Sequence, residues 1–483
     1  MQKAKVFVLQ ACVSGFAATR IAFVVLGAAL LAGCVSFSED GGFGAVQRAV
    51  KERTGQETKW QRSTDEANSV RARVKELLAQ PLTAESAAQI ALLNNPGLQA
   101  SYADMGIAEA DLVQASRWSG PTFSFARLRR GDETEYERSV FFSLLGLISI
   151  PLSTKVERKR FESAQARAAG EALRLALETR KAFFSAVAAE ESVRYMQQVK
   201  LAAEASAELA RRMAAVGNWP KLNQAREQVF YAETTAQLAR VTQARVSARE
   251  RLSRLMGLWG EDLRFAVPER LPDLPKAARE AGDLETQALA QRLDVQAARR
   301  ETEALAQSMD LTRITRFVDL LEFGLHNNSE TDKPAQRGWE IELRIPIFDF
   351  GGARVARAES MYMQSVNRVA ETAIRARSEV RETYSAYRTT FELAKHYRDE
   401  IVPLRKRISE EMLLRYNGML ASVFELLADS RDSVMSVNAY IEALRDFWLA
   451  ESDLQAALTS GSPGAMAGRS KAMALPAAGG AAH

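Results

Sequence analysis

The sequence predicts a mainly α-helical protein with a small β part, built from long antiparallel helical hairpins and four short strands. Two observations predict this class. Residues 338–354 alternate apolar and charged side chains and then change to a helical pattern, and residues 140–160 make a similar switch. Residues 153–219 contain no proline, which permits a helix of about 100 Å at about 1.5 Å per residue. Strands that lead directly into long helices therefore organise the chain.

The strand at residues 338–345 has one apolar and one charged face, because side chains in a strand alternate between faces. This pattern suits a water-soluble sheet, and it equally suits a strand with lipid on one side and water on the other. Pro346 and the glycines at residues 351–352 predict a bend before a helix that begins near Ala353. The apolar face consists of Trp339, Ile341, Leu343 and Ile345, and the charged face of Glu340, Glu342 and Arg344.

Two short motifs occur twice in the same order, which indicates an internal duplication. Residues 150–152 (Ile-Pro-Leu) and 345–347 (Ile-Pro-Ile) are 195 residues apart, and residues 98–100 (Leu-Gln-Ala) and 295–297 (Val-Gln-Ala) are 197 apart. Each half then contains one β-hairpin with a polar loop. The predicted strands are residues 122–125, 139–150, 321–326 and 338–345, and the predicted loops are residues 129–137 and 327–337.

A long helical hairpin is predicted after each β-hairpin. The first turns at residues 217–220 and ends near Gly257, and the second turns at residues 417–418 and ends near Leu458. In the second, apolar residues step by alternating threes and fours, which is the heptad pattern of coiled-coil packing. Pro403 is expected to kink or break the outgoing arm. The two seams are Val380, Tyr384, Tyr387, Phe391 and Ala394, and Val434, Val437, Ile441, Leu444 and Trp448.

The N-terminal residues resemble a bacterial export signal. Basic residues up to Arg20 precede an apolar stretch at residues 21–31 that is too short to span a bilayer. Leu-Ala-Gly then precedes Cys34, as in the lipobox, in which the cysteine becomes the acylated first residue of a mature lipoprotein. The alternative is an ordinary signal peptide with an incidental cysteine. The residues directly after Cys34 are Val35 and Ser36 and not aspartate, which by the lipoprotein sorting rule implies the outer membrane.

The remaining segments complete the predicted organisation. Thr83 is placed to cap a helix that ends at residues 94–96 (Asn-Asn-Pro), and another helix is predicted over residues 97–118. Prolines 268, 272 and 275 mark a linker. The predicted domains are residues 1–33 (lipoprotein signal peptide), 34–80 (lipid-anchored extended tether), 81–267 (first repeat), 268–280 (linker), 281–458 (second repeat) and 459–483 (disordered tail).

Composition and motifs exclude several classes of function. A net charge of +4 is too small to indicate a nucleic-acid partner. Two cysteines and three histidines do not support a disulfide framework or a dedicated zinc site. No nucleophile elbow, phosphate-binding loop or metal-ligand spacing is present. The sequence therefore predicts no enzyme activity and no cofactor apart from a covalent lipid on Cys34.

Four strands with one lipid-compatible face cannot close a membrane barrel, because the smallest such barrels need about eight strands. An open edge in lipid leaves unpaired backbone groups, each of which costs several kcal/mol. A symmetric oligomer in which every chain contributes four strands removes these edges. The helices that continue from the strands would form a tube on the same axis, so the exported chain would form a pore from the periplasm through the outer membrane.

With these features, the sequence resembles the TolC-like outer-membrane efflux channels, in their lipoprotein branch. The resemblance covers residues 82–458 and rests on the duplicated strand-to-helix switches, residues 82–98, the motif at residues 345–352 (Ile-Pro-Ile-Phe-Asp-Phe-Gly-Gly) and the two hairpin tips. It implies a homotrimer with a long periplasmic α-barrel and a 12-stranded β-barrel to which each chain contributes four strands. It also implies an adaptor protein and an inner-membrane pump as partners.

The resemblance further identifies candidate adaptor-contact residues at the ends of the helical hairpins. In the family these tips contact the adaptor. The alternative is that each tip glycine only ends its helix in a left-handed conformation. The matching residues are Val216, Gly217 and Asn218 in the first tip, and Tyr416, Asn417, Gly418 and Met419 in the second.

Acidic residues after the second tip form a ring across the pore in the family. Glu425 occupies the first acidic position, whereas the second holds Ala428, and Asp429 is displaced by one residue. A ring of carboxylates attracts cations and repels anions, and the alternative is a solvated helix face. A competing interpretation of the whole chain is a lipid-anchored coiled-coil protein that bridges envelope layers without conducting.

Overall fold

The computed structural model describes residues 36–280 and 282–461. The predicted signal peptide, Cys34 and most of the predicted tail lie outside these residues. Helices make up most of the described chain. In chain order the elements are α1 (Phe43–Thr54), α2 (Thr64–Leu78), α3 (Ala84–Asn94), α4 (Pro96–Ala115), β1 (Thr122–Arg130), β2 (Glu133–Ser143), α5 (Leu144–Ala215), α6 (Lys221–Met256), a 3-10 turn (Gly260–Leu263), α7 (Leu284–Gln291), α8 (Leu293–Thr315), β3 (Leu320–Glu330), β4 (Gln336–Arg344), α9 (Gly352–His396), a π-helical turn (Tyr397–Ile401), α10 (Val402–Asn417) and α11 (Val423–Thr459).

Residues 36–80 contain α1 and α2, so the prediction of an extended tether is wrong for these residues. Each helix buries a pair of valines one turn apart, and α1 also buries Phe43. These short apolar stripes are surrounded by polar and charged residues, which hides the helical period in the sequence. Ser63 starts α2 with a capping box that it shares with Glu66. The buried pairs are Val46 with Val50 and Val70 with Val74.

The corner between α3 and α4 follows the prediction. The hydroxyl of Thr83 accepts a hydrogen bond from the backbone N–H of Ser86 at 3.0 Å, which confirms the predicted cap. The break at residues 94–96 is confirmed as well, since α3 ends and α4 starts there. The side-chain amide of Asn94 donates to the carbonyl of Gly257 at 2.8 Å and so ties this corner to the end of α6.

The four strands form one antiparallel sheet in the order β1-β2-β3-β4, which sets the β-hairpins of the two halves side by side. The strands are longer than predicted. β1 and β2 continue to a turn at Gly131 and Asp132, and β3 and β4 include residues 327–330 and 336–337. The predicted polar loops are therefore wrong in extent, because backbone pairing continues through polar residues once a neighbouring strand is present.

The switch from strand to helix differs between the two halves. In the first half β2 ends at Ser143 and α5 begins at the next residue, so Pro151 lies inside the helix and not before it. Residues 144–150 are mostly apolar, and such a run does not distinguish a strand from a helix. In the second half the prediction holds, because residues 345–351 form the bend and α9 begins at Gly352.

Two helical hairpins follow the strands, as predicted. α5 pairs with α6, and the interrupted arm α9–α10 pairs with α11. The interruption expected at Pro403 is confirmed by the π-helical turn that separates α9 from α10 two residues before this proline. The heptad seams are core positions: Val380, Tyr387, Phe391, Ala394, Ile441 and Leu444 are buried, and Tyr384, Val437 and Trp448 pack against them.

The proline-rich linker is irregular, as predicted, but it is not loose. Leu271 and Leu274 are buried in the same core as the helical hairpins. The backbone N–H of Leu271 donates to Glu191 at 3.1 Å, and the indole N–H of Trp448 donates to the carbonyl of Pro272 at 3.1 Å. The linker therefore forms part of the packed structure around the hairpins.

The chain divides into two compact units, and each unit takes segments from both halves. One contains residues 103–165 and 297–369, which include the whole sheet. The other contains residues 43–102 and 166–296, together with the described chain from residue 370 onward. The predicted boundary between the repeats thus falls within the second unit.

No helix in residues 36–280 and 282–461 is both long and apolar enough to cross a membrane.

Candidate functional site

The sheet has one apolar face that is open to solvent in the single chain. Its register aligns Phe123, Val140, Leu325 and Trp339 in a row across all four strands. Phe123 is 74% exposed and Trp339 is 69% exposed. The outer strands β1 and β4 each have a neighbour on one side only. The sheet therefore presents both an unpartnered apolar face and two unpaired edges.

The opposite face of the sheet is polar. His326 lies there with its Nδ1 2.8 Å from the hydroxyl of Ser139 and its Nε2 3.3 Å from the carboxylate of Glu340. The register also assigns the two faces of β2, because Val140 is in the apolar row and Phe141 is on the polar face opposite Gly324. One face therefore suits lipid and the other suits water.

The first helical hairpin ends in a Schellman motif at residues 216–220, the first tip. The N–H of Gly217 donates to the carbonyl of Ala214 at 3.2 Å, and the N–H of Asn218 donates to the carbonyl of Met213 at 3.0 Å. This pair of bonds needs a residue with left-handed backbone. Gly217 supplies it, with φ of 79°.

The second helical hairpin ends in the same motif at residues 416–422, the second tip. The N–H of Met419 donates to the carbonyl of Tyr416 at 3.0 Å, and the N–H of Leu420 donates to the carbonyl of Arg415 at 2.8 Å. The residue that must be left-handed is therefore a methionine.

Met419 has φ of 63°, whereas Gly418 has φ of −81°. A residue with a Cβ atom in this conformation costs about 1–2 kcal/mol, because the Cβ approaches a carbonyl oxygen. The interpretation that each tip glycine ends its helix in a left-handed conformation holds for Gly217 and is wrong for Gly418. The second tip therefore stores local backbone strain.

Both tips present apolar side chains to solvent. Met419 is 95% exposed, Leu420 82% and Val216 72%. Exposed apolar groups at the end of a hairpin form a candidate docking surface. All the predicted contact residues are exposed: Val216, Gly217 and Asn218 on the first tip, and Tyr416, Asn417, Gly418 and Met419 on the second.

Glu425 lies in the first turn of α11 and caps it. Its carboxylate accepts the backbone N–H of Ser422 at 2.7 Å and the Ser422 hydroxyl at 3.0 Å, and its own N–H donates to that hydroxyl at 3.3 Å. The hydrogen bonds from Ser422 hold the pKa of Glu425 below its ordinary value. Glu425 is exposed, so its carboxylate is charged and open to solvent.

Asp429 is one turn further along α11 and has a different environment. It is 7% exposed, and its carboxylate accepts a hydrogen bond from the hydroxyl of Ser409 on α10 at 2.6 Å. Asp429 therefore lies within the second helical hairpin, while Glu425 faces solvent. The two predicted constriction residues are therefore neighbours one turn apart on α11, but only Glu425 has an exposed carboxylate.

An ion pair with a buried carboxylate joins the two helical hairpins. Glu227 of α6 is 3% exposed and accepts from Arg431 of α11 at 2.7 Å and from the hydroxyl of Ser206 of α5 at 2.8 Å. The Arg431 guanidinium also lies 4.4 Å from the ring centroid of Phe230. Sequence analysis missed this pair because its members are 204 residues apart and follow no spacing rule.

The fold is similar to that of several solved membrane-protein structures. A membrane protein from Pseudomonas aeruginosa matches with a TM-score of 0.67 at 18% identity, over 83% of this chain and 95% of that chain. The outer membrane protein VceC from Vibrio cholerae matches with a TM-score of 0.64 at 15% identity, over 83% of this chain and 98% of that one.

The open-state MtrE outer membrane channel of Neisseria gonorrhoeae matches with a TM-score of 0.64 at 17% identity, over 81% of this chain and 90% of that one. Comparisons of the sequence with protein-family profiles and with curated proteins give no match. The chain therefore has the fold of these outer-membrane channels, which confirms the predicted combination of helical hairpins with a four-stranded sheet.

Proposed function

We propose that this protein is the outer-membrane channel of a tripartite efflux system. In this role it passively conducts substrates from a periplasmic adaptor and an inner-membrane pump to the exterior. The observation that carries the proposal is the sheet, with its exposed apolar face, its polar opposite face and its two unpaired edges. The likeness of the fold to solved outer-membrane channels supports it.

The unpaired edges favour a homotrimer. When β4 of one copy pairs with β1 of the next, three chains close a 12-stranded barrel in which every backbone group has a partner. The apolar row then faces lipid and the polar face lines a water-filled lumen. The helical hairpins of the three copies would enclose a periplasmic duct.

The hairpin tips are proposed to contact the adaptor. The tips offer the adaptor apolar side chains that are largely exposed in the described chain, namely those of Met419, Leu420 and Val216. Acylation of Cys34 would hold the mature protein at the outer membrane. The channel needs no enzyme activity and no cofactor for this role.

Glu425 is proposed to form the ring at the constriction, because its carboxylate is charged and exposed. Asp429 joins the ring only if its hydrogen bond to Ser409 opens. Glu425→Gln removes the charge but keeps an acceptor for Ser422, so it is expected to weaken cation preference in single-channel recordings. Unchanged ion selectivity in this variant would show that Glu425 does not form part of the constriction.

The function is tested by purification from outer membranes and conductance measurement in planar bilayers. We expect a heat-modifiable trimer in detergent and stable single-channel currents. A monomer that produces no current would instead support the non-conducting envelope protein.

A pair of variants tests the position of the sheet. Ile341→Arg places a charge on the apolar face, where it is expected to cost about 2–4 kcal/mol per chain in the bilayer and to lower the yield of trimer. Glu342→Arg places the same side chain on the opposite face and serves as the control. It is expected to preserve assembly and to shift ion selectivity towards anions. Equal loss of trimer in both variants would contradict the assigned faces.

A further inference from the structure

The apolar face of the sheet changes character towards the β-hairpin turns. The row that follows Phe123 and Trp339 in the direction of the turns contains Arg138 and Arg337. These two arginines are aligned through Asn327 of β3. Arg127 follows on the same face one row further, and Arg129 follows Arg127, because side chains two residues apart share a face. We call Arg127, Arg129, Arg138 and Arg337 the arginine belt. The belt lies beside the apolar rows, at the end of the sheet away from the helices.

All acidic residues of the four strands lie on the other face. In the register they occupy rows that alternate with the rows of the belt, so none shares a face with the arginine belt. The two faces therefore differ in charge as well as in polarity. The acidic residues of the strands are Glu133, Glu135, Glu137, Glu322, Glu330, Glu340 and Glu342.

The guanidinium groups of the belt are open to a ligand, and only Arg129 uses one of its N–H groups within the described residues, where its Nε–H donates to the carbonyl of Gly131 at 3.1 Å. All four arginines are exposed, and within the described residues none of them forms an ion pair. The guanidinium carbons of Arg127 and Arg138 lie 5.7 and 5.8 Å from the ring centroid of Tyr136, so both groups contact one aromatic ring. Four cations without a counter-charge beside an apolar surface suit an anionic partner that is itself attached to an apolar group.

We propose that the arginine belt binds the phosphate groups of lipids in the leaflet beyond the apolar rows. The inference rests on the proposed function, because it requires the apolar face to lie in the bilayer. A guanidinium group binds a phosphate through two parallel hydrogen bonds, and Tyr136 orients two of these groups beforehand. The acyl chains of the same lipid would cover Phe123 and Trp339. A lipid is therefore favoured over a free anion, since it satisfies both surfaces.

The test is native mass spectrometry of the full trimer titrated with bisphosphorylated lipid A and, separately, with dephosphorylated lipid A. Wild-type protein is expected to prefer the phosphorylated form. The variant Arg127→Gln/Arg138→Gln/Arg337→Gln is expected to lose this preference by on the order of a hundredfold, at about fivefold for each arginine. The control Arg130→Gln/Arg344→Gln removes arginines from the opposite face and is expected to keep the preference.

Three outcomes would overturn the inference. Wild-type protein could bind both lipids equally, or the control could lose as much preference as the belt variant. Displacement of lipid A by excess inorganic phosphate would identify a free-anion site. Conductance of the same preparations separates the two proposals. A conducting trimer that does not distinguish the two lipids overturns lipid binding by the belt alone. A protein without conductance overturns both the channel function and lipid binding by the belt.

Discussion

The two helical hairpin tips make the same hydrogen bonds with different residues. In the first tip a glycine adopts the left-handed conformation that the Schellman motif requires, and in the second tip a methionine does so although a glycine is its neighbour. The backbone of Gly217 is relaxed, whereas that of Met419 is strained. The difference shows that one turn geometry can be reached with or without a local energetic cost.

The second hairpin contains the other irregularity as well. α5 runs without a π-helical turn to the first tip, whereas the arm that leads to the second tip is interrupted between α9 and α10. Strained and interrupted backbone persists only where the surrounding structure holds it in place. The second hairpin is thus the less regular of the two. The following predictions test how these irregularities and the contact between the hairpins affect stability, in order of expected effect.

Arg431→Ala should have the largest effect, because it leaves the buried carboxylate of Glu227 without its cation. We expect the free energy of local opening of α6 and α11 to fall by on the order of 3 kcal/mol, as measured by native-state hydrogen exchange. Arg405→Ala is the control, since its pair with Asp432 is partly exposed and should contribute less than about 1 kcal/mol. Equal effects of the two variants would show that burial of Glu227 does not increase the free energy of local opening.

Gly217→Ala is expected to destabilise the first tip by about 1–2 kcal/mol. A Cβ atom at Gly217 would meet nothing within 4 Å, so the cost would come from the left-handed backbone alone. Gly418→Ala is the matched control, because its φ of −81° suits any residue. Hydrogen exchange at the helix ends beside each tip measures both changes. Similar losses at the two glycines would contradict the assigned conformations.

Met419→Gly should stabilise the second tip by about 0.5–1 kcal/mol, because relief of backbone strain exceeds the added chain entropy of glycine. The Met419 side chain is 95% exposed, so little packing is lost. Hydrogen exchange in the last turn of α10 provides the measurement, and an efflux assay on the same variant separates stability from docking. Destabilisation would show that the methionine side chain supports the turn.

A pH effect at the start of α11 should be the smallest change. The pKa of Glu425 is lowered in the folded protein, so its stabilising effect is complete above the ordinary carboxyl value of 4.5 and is lost as the pH falls through the lower value. We expect faster exchange in the first turn of α11 over this range. Glu425→Gln does not titrate and should remove the pH dependence. The first tip, which has no such capping box, should not respond.

Much of the fold follows from local patterns in the sequence. The alternation at residues 338–345 and the cap at Thr83 depend on neighbouring residues alone, and both predictions are confirmed. The start of α5 was missed because residues 144–150 are mostly apolar, which hides the period. α1 and α2 were missed although Ser63 and Glu66 carried a capping-box signal that could have identified the second of them.

The candidate sites were less predictable, because they depend on tertiary contacts. The sequence identified the tip segments, but it did not identify the residue that adopts the left-handed conformation. One additional hydrogen bond at the end of α10 is enough to move the left-handed position by one residue. The environment of Asp429 depends on Ser409 in the opposite arm. The pairing of Glu227 with Arg431 follows from the packing of the hairpins and has no local signature.

The central pairing of the sheet also has a consequence for biogenesis. Ser139 and His326 touch across β2 and β3 but are 187 residues apart along the chain. The first β-hairpin by itself is a two-stranded ribbon, which is at best marginally stable in water. The sheet can therefore be completed only after the later half of the polypeptide has been synthesised, and closing so long a loop makes this step slow. Until that point, the nascent chain lacks the finished apolar face of the sheet.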